Sequence, residues 1–188
     1  MSFEYPPRPE RAIAPDLIPF YEGRGWVGQI KKNGTCSVVR VGSDGSTAYW
    51  NRHGEPHRAW PGHAEVSGFF SSFPDSFFVF ELLHSKGPSV KDTAYVFDVT
   101  RFQGRSLIGT TLTDRLEILE RLRPTTPKVV MVQTYTTGLR AIYDALSDPL
   151  DEGLVLKDPT STLSGGWRPD LNGSWQIKCR RQSKNYSF

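Results

Sequence analysis

Short runs rich in apolar, aromatic and branched residues, separated by polar turn signals, recur along this chain, as in β-strands. Trp26-Val27-Gly28-Gln29-Ile30-Lys31 predicts a first strand, and Thr35-Cys36-Ser37-Val38-Val39-Arg40-Val41 a second. Asn33-Gly34 between them is a strong turn signal, which makes the second run the returning arm of a hairpin. Asp44-Gly45 marks another turn ahead of Thr47-Ala48-Tyr49-Trp50. The stretches 77–83 and 93–99 are rich in aromatic and branched residues and predict two more strands. Thr111 with Asp114 fits a capping box, Leu112, Leu116, Leu119 and Leu122 form an apolar stripe, and Pro124 and Pro127 close that helix. A strand over 128–132 and a helix over 138–146 follow. Two final strands, 152–157 and 174–180, flank a loop containing Ser164-Gly165-Gly166. Ahead of all these, prolines 6, 7, 9, 15 and 19 predict an extended arm over residues 1–25. The expected fold is α+β: mostly antiparallel β-sheets flanked by helices, in one domain over 26–188.

Composition narrows the class. A chain of 188 residues, 37% of them hydrophobic, can bury one real core. No run approaches the roughly 20 apolar residues of a membrane helix, so no membrane partner is expected. The start, Met1-Ser2-Phe3-Glu4-Tyr5, lacks the basic-then-apolar order of a secretory signal. Cys36 and Cys179 make no disulfide framework, so the reducing cytoplasm (of a host cell, were the source viral) is the default compartment. A net charge of +3 tolerates an anionic partner without demanding one.

Four segments carry chemistry. Gln29-Ile30-Lys31-Lys32-Asn33-Gly34 ends a strand in two lysines beside a turn. Phe80-Glu81-Leu82-Leu83 puts a carboxylate inside an apolar strand, where it needs a partner. Glu152 and Lys157 are five apart on one strand, hence on opposite faces unless the strand twists or bulges. Lys178 and Arg180 are two apart and share a face. His53 and His57 are four apart, but Gly54 and Pro56 oppose the helix that would make them a zinc pair. The glycine-rich phosphate loop of kinases and GTPases is absent.

In this order the segments resemble the nucleotidyltransferase family of ATP-dependent polynucleotide ligases and mRNA capping enzymes. That family's signature is Lys-x-Asp-Gly, an Arg-Asn-Gly-like segment, a Glu in an apolar strand, a Phe-Asp strand, Glu-Gly-x-x-x-Lys and a final Lys-x-Lys. The matching segments are Lys31-Lys32-Asn33-Gly34, Asn51-Arg52-His53-Gly54, Glu81, Phe97-Asp98, residues 152–157, and Lys178-Cys179-Arg180. The helix opening at Leu112-Thr113-Asp114-Arg115 is similar to the one after the Phe-Asp strand in DNA ligases, and the likeness spans residues 26 to 181. The implied fold is a ligase-type, ATP-grasp-like nucleotidyltransferase domain without a C-terminal OB-fold, since the chain ends at Phe188.

The resemblance implies a reaction. The amine of Lys31 would attack the α-phosphorus of ATP, expel pyrophosphate and keep AMP as a phosphoramidate. An ordinary lysine, with a pKa near 10.4, is only about 0.04% neutral at pH 7. Neighbouring cations and a metal would therefore have to activate it. Lys157, Lys178 and Arg180 would supply that field and neutralise the α-phosphate. Glu81 would accept from the ribose, Phe97 would stack on adenine, Gln29 would read a base edge, and Arg52 would contact the nucleotide or a nucleic-acid phosphate. Glu152 would hold magnesium. Nicked duplex DNA is the expected partner of a monomeric enzyme, because residues 152–159 are more DNA-ligase-like than RNA-ligase-like. The alternatives are an RNA ligase, a GTP-using capping transferase, and a non-catalytic nucleic-acid-binding remnant. Three positions depart from the pattern: Asn33 replaces the usual Asp, Cys36 stands where many DNA ligases have Arg, and Arg180 replaces Lys. An NAD-using ligase would need an extra module that 25 residues ahead of Trp26 cannot supply, so ATP is expected.

Overall fold

The structure, a computed structural model, describes residues 8–58, 60–84, 90–164 and 172–181. In chain order these residues form β1 (Arg8–Pro9), α1 (Ile18–Glu22), β2 (Val27–Lys32), β3 (Thr35–Val41), β4 (Thr47–Asn51), α2 (Ala64–Ser71), β5 (Ser76–Leu83) and β6 (Thr93–Phe102). They continue as β7 (Arg105–Ser106), α3 (Leu112–Arg121), β8 (Val129–Met131), β9 (Thr134–Tyr135), α4 (Leu139–Ala145), β10 (Asp151–Lys157), β11 (Asn172–Gly173) and β12 (Gln176–Arg180). The α+β expectation holds, with the ladders antiparallel apart from the β6–β8 and β1–β11 pairs. Gly165 and Gly166 of the expected loop, and Pro6 and Pro7 of the arm, lie outside the described residues.

The chain divides into two compact units. The first holds residues 34–132 and 160–164, built on the sheet order β4-β3-β5-β6-β7, with β8 also paired to β6. Alternation decides its faces. Val39, Val41, Phe78, Phe80 and Leu82 point one way and bury against Val66, Phe69 and Phe70 of α2 and Leu119 of α3. Each such aliphatic or aromatic side chain contributes about 1.5–3 kcal/mol by leaving water. Helix α3 opens on the expected capping box, with Thr111 Oγ1 accepting from the Asp114 N–H at 3.1 Å and Asp114 Oδ2 from the Thr111 N–H at 2.8 Å. Its Arg115 is fully buried and grips Asp98 of β6 through Nε at 2.8 Å and Nη2 at 3.2 Å.

The second unit holds residues 8–33, 133–159 and 172–181, on the antiparallel order β12-β10-β2-β9. One face of that sheet, with Ile30, Leu154, Leu156, Ile177 and Cys179, packs against Ile18 and Tyr21 of the N-terminal segment and Leu139 of α4. Glu22 fastens α1 to α4 by accepting from the Gly138 and Leu139 N–H groups at 2.6 and 3.1 Å.

Two expectations change. The Asn33-Gly34 turn closes no hairpin: β2 pairs with β10 and β9, whereas β3 pairs with β4 and β5, so both edges of each strand are already taken. The chain passes there from one unit to the other. The arm is not all extended either. Residues 10–13 run along β12, with Glu10 and Ile13 N–H groups donating to the Gln176 and Lys178 carbonyls at 2.9 Å each, and α1 follows. An otherwise open sheet edge is thereby covered.

Candidate active site

The register of the second unit's sheet decides which side chains share a face. Lys31 of β2 lies opposite Gly153 of β10, and Gly153 opposite Arg180 of β12. The next row is Gln29, Val155 and Lys178, and the one after it Val27, Lys157 and Gln176. With a side-chain period of two, all of these project from the face turned away from the apolar one. Lys31, Lys157, Lys178 and Arg180, far apart in sequence, therefore stand on one surface. Lys157 is only 2% exposed, an unusual burial for an ammonium group.

Glu152 joins them through a bulge. Asp151 pairs with Lys32 and Gly153 with Lys31, so Glu152 is one residue too many for the ladder. The extra residue breaks the alternation that would have sent Glu152 and Lys157 to opposite faces. Glu152 Oε2 sits 2.5 Å from Lys31 Nζ and 3.6 Å from Arg180 Nε. Gly153 makes this possible. Its φ is +139°, and a Cβ there would lie 1.9 Å from the Cys179 carbonyl oxygen. Beside this pair Lys32 forms a second ion pair with Asp151, and Asp148 lies 4.0 Å away.

Gln29 is 3% exposed and donates from Nε2 to Thr134 Oγ1 at 3.0 Å. That bond, from a two-residue strand that the sequence pattern does not reveal, fixes the amide's orientation. Thr134 and the Lys32–Asp151 pair are neighbours of the site that the sequence reading missed. The signal available for the second pair was two adjacent lysines at 31–32 matched by two adjacent acids at 151–152.

The remaining candidates belong to the first unit. Glu81 of β5 pairs with Cys36 on one side and Tyr95 on the other, and its Oε1 accepts from the Gly34 N–H at 3.1 Å. Phe97, two residues on from Tyr95, is the additional residue at a second bulge, where Phe80 pairs with Val96 and Val79 with Asp98. Arg52 is exposed in the turn after β4, its Nε donating to His53 Nε2 at 3.3 Å. Among the described residues no three His, Cys, Asp or Glu side chains are grouped to hold a metal, and no helix is long and apolar enough to cross a membrane. A lone Glu152 still suits a magnesium ion, which commonly takes one or two carboxylates and completes its shell from substrate phosphates.

No family model matches the sequence, and no curated protein does. Solved structures do match. Mycobacterial DNA ligase D complexed with ATP and MES aligns at TM-score 0.69 and 16% identity, over 97% of this chain and 62% of that one. The ligase domain of M. tuberculosis LigD aligns at TM-score 0.73 and 18% identity, over 96% and 61%. An archaeal ATP-dependent RNA ligase aligns at TM-score 0.57 and 20% identity, over 94% and 48%. The chain thus spans less than two thirds of the length of these structures. Its fold is that of the nucleotidyltransferase domain of ATP-dependent ligases.

Proposed function

We propose that this chain is the adenylylating domain of an ATP-dependent polynucleotide ligase, with nicked duplex DNA as its substrate. The observation that carries the reading is Lys31 Nζ held 2.5 Å from Glu152 on a sheet face that also bears Lys157, Lys178 and Arg180. A nucleophilic amine, one carboxylate and three further cations suit transfer of a nucleotide from a triphosphate. Lys31, having lost its third proton to solvent, attacks the α-phosphorus. The N–P bond forms as the bond to the bridging oxygen breaks, pyrophosphate leaves with that electron pair, and the nitrogen gives up its surplus proton to solvent. Lys178 and Arg180 spread the charge that develops on the α-phosphate, and buried Lys157 adds a fixed positive charge on the same face. When bound, a divalent cation held by Glu152 and the phosphates would neutralise the triphosphate. The lysyl-AMP then passes AMP to a 5′-phosphate as the N–P bond breaks and the lysine amine is released, and a 3′-hydroxyl attacks that 5′-phosphate, forming the phosphodiester as AMP leaves and the hydroxyl proton goes to solvent.

The motif positions of Glu81, Phe97, Arg52 and Gln29 support ribose, adenine, phosphate and base contacts respectively. DNA is preferred to RNA on the Glu-Gly-Leu-Val-Leu-Lys-Asp-Pro segment at 152–159. The decisive experiment incubates protein and magnesium with α-labelled ATP or GTP, then looks for acid-labile label on the chain. ATP-derived label that disappears in Lys31→Ala is expected. Label from GTP alone would move the reading to capping. Absence of label from folded, AMP-free protein would overturn it.

A further inference from the structure

The first unit contains a cavity of about 630 Å³ whose lining includes none of the nine candidate residues above. Thr35 opens β3, Leu82 lies near the end of β5 and His84 just beyond it, and His57, Arg58 and Trp60 come from the segment after β4. Thr35 pairs with Leu82 in the β3–β5 ladder, one step from the Cys36–Glu81 pair, so the two pairs project from opposite faces of the sheet. The size falls within the range of about 300–1,000 Å³ usual for small-molecule sites.

Hydrogen bonding fixes what the two imidazoles can offer. Ser37 has one hydroxyl hydrogen, and it goes to the Thr35 carbonyl at 2.8 Å. Its Oγ therefore receives the Nε2–H of His57 at 2.8 Å, which leaves Nδ1 of the neutral ring with a lone pair. Burial, and then the neighbouring His84, push His57 below its ordinary range, so the ring is neutral at pH 7. His84 donates Nδ1–H to Asp92 Oδ1 at 2.5 Å, and the same oxygen takes the Trp60 indole N–H at 2.9 Å. That leaves His84 Nε2 without a hydrogen-bond partner among the described residues. Arg58 is exposed and makes no side-chain hydrogen bond or ion pair among the described residues. The acid that shares the lining, Glu55, accepts from Asn51 Nδ2 at 3.0 Å.

One exposed guanidinium, an imidazole acceptor on His57, a second imidazole on His84, a hydroxyl and an apolar wall of Leu82 and Trp60 together match a nucleotide. We infer that this cavity binds one nucleotide unit, its phosphate on Arg58, its sugar hydroxyls on His57 and His84, and its base against Leu82. The unit comes either from a free mononucleotide or from a nucleic-acid strand. Nothing in this inference depends on Lys31 being adenylylated.

The chain has four histidines, so its imidazole spectrum is simple enough to assign with single His→Gln variants. Ring-labelled protein would be titrated at pH 7.5 with inorganic phosphate, UMP, and 5′-phosphorylated tetrathymidylate, none of which carries adenine. The His57 and His84 signals are expected to move more than those of His53 and His63. Arg58→Gln, a change at an exposed position, should weaken binding about tenfold, the loss of one charge-assisted hydrogen bond. For the oligonucleotide it should also lower the salt slope by about one. Tighter binding of UMP would identify a free nucleotide as the ligand, and movement with the oligonucleotide alone would identify a strand. The inference fails if neither nucleotide moves the two signals, if phosphate alone moves them at the same affinity as UMP, or if Arg58→Gln binds like the parent. Labelling of Lys31 by ATP, measured on the same preparation, fails or succeeds separately.

Discussion

Substituting Gly153 by alanine tests the bulge that brings Glu152 to Lys31. The new Cβ would lie 1.9 Å from the Cys179 carbonyl oxygen and 3.0 Å from the Arg180 Cα, both backbone atoms of β12 that no rotamer change can clear. Restoring ordinary contact means moving β10 and β12 apart by more than about 1 Å, which stretches a ladder hydrogen bond beyond useful length. A lost bond of this kind is worth about 0.5–1.5 kcal/mol. An L side chain at φ +139° adds strain of about 1–3 kcal/mol. Together the loss is about 3 kcal/mol, or a fall in Tm of about 6–12 °C for a chain of this size. Circular-dichroism melts measure that fall. Under the proposed reaction, transfer of labelled AMP to Lys31 measures the second effect, a drop in rate as Glu152 leaves its place beside the amine. A Gly153→Ala protein that melts within about 2 °C of the parent and is labelled as fast would show that the bulge is neither tight nor needed.

Gly68 provides the contrast: it lies inside α2 with nothing within 4 Å of an added Cβ, so Gly68→Ala should stabilise the protein by about 0.4–1 kcal/mol in urea unfolding. Arg115→Met leaves the Asp98 carboxylate buried without its cation and should cost about 3–5 kcal/mol in the same assay, whereas an exposed pair such as Arg121–Glu117 should change stability by about 0–1 kcal/mol when broken. His57 gives a pH dependence. Its folded-state pKa lies below the ordinary 6.5, so below pH 6.5 the unfolded chain takes up a proton that the folded chain refuses, and stability falls as the pH drops. Urea midpoints at pH 7.5 and 5.5 should show this decline in the parent and a shallower one in His57→Gln.

Much of the fold was legible because apolar, branched-residue runs and helix capping are local. The runs at 77–83 and 93–99, and the Thr111–Asp114 box, needed nothing beyond their own residues and became β5, β6 and the start of α3. What went unseen was set at a distance. Helix α2 buries Val66, Phe69 and Phe70 at helical spacing, but Ser67 and Gly68 lower its intrinsic propensity, and only the sheet beneath makes it stable. Helix α1 hid among prolines, which are tolerated in a first helical turn and which its packing against α4 outweighs. Asn33-Gly34 has hairpin chemistry, yet partners elsewhere claimed both strand edges.

The site shows the same limit in a sharper form. Lys178 and Arg180 could be placed on a common face from spacing alone, because β12 keeps strict alternation through them. Glu152 and Lys157 could not, because five residues apart means opposite faces unless one residue is extra. The extra residue was marked in the sequence all the same. A glycine after the candidate carboxylate, beside a run of Leu, Val and Leu, gives up side-chain packing for a backbone that a bulge can use. At Gly153 two constraints, a positive φ and contact with the backbone of β12, coincide in one residue. Read together, the glycine explains the acid: residue 153 lacks a side chain so that residue 152 can turn its carboxylate to Lys31. A glycine directly following a strand carboxylate, with a lysine further along the same strand, is therefore a pattern to read as a bulge first and as an alternating strand second.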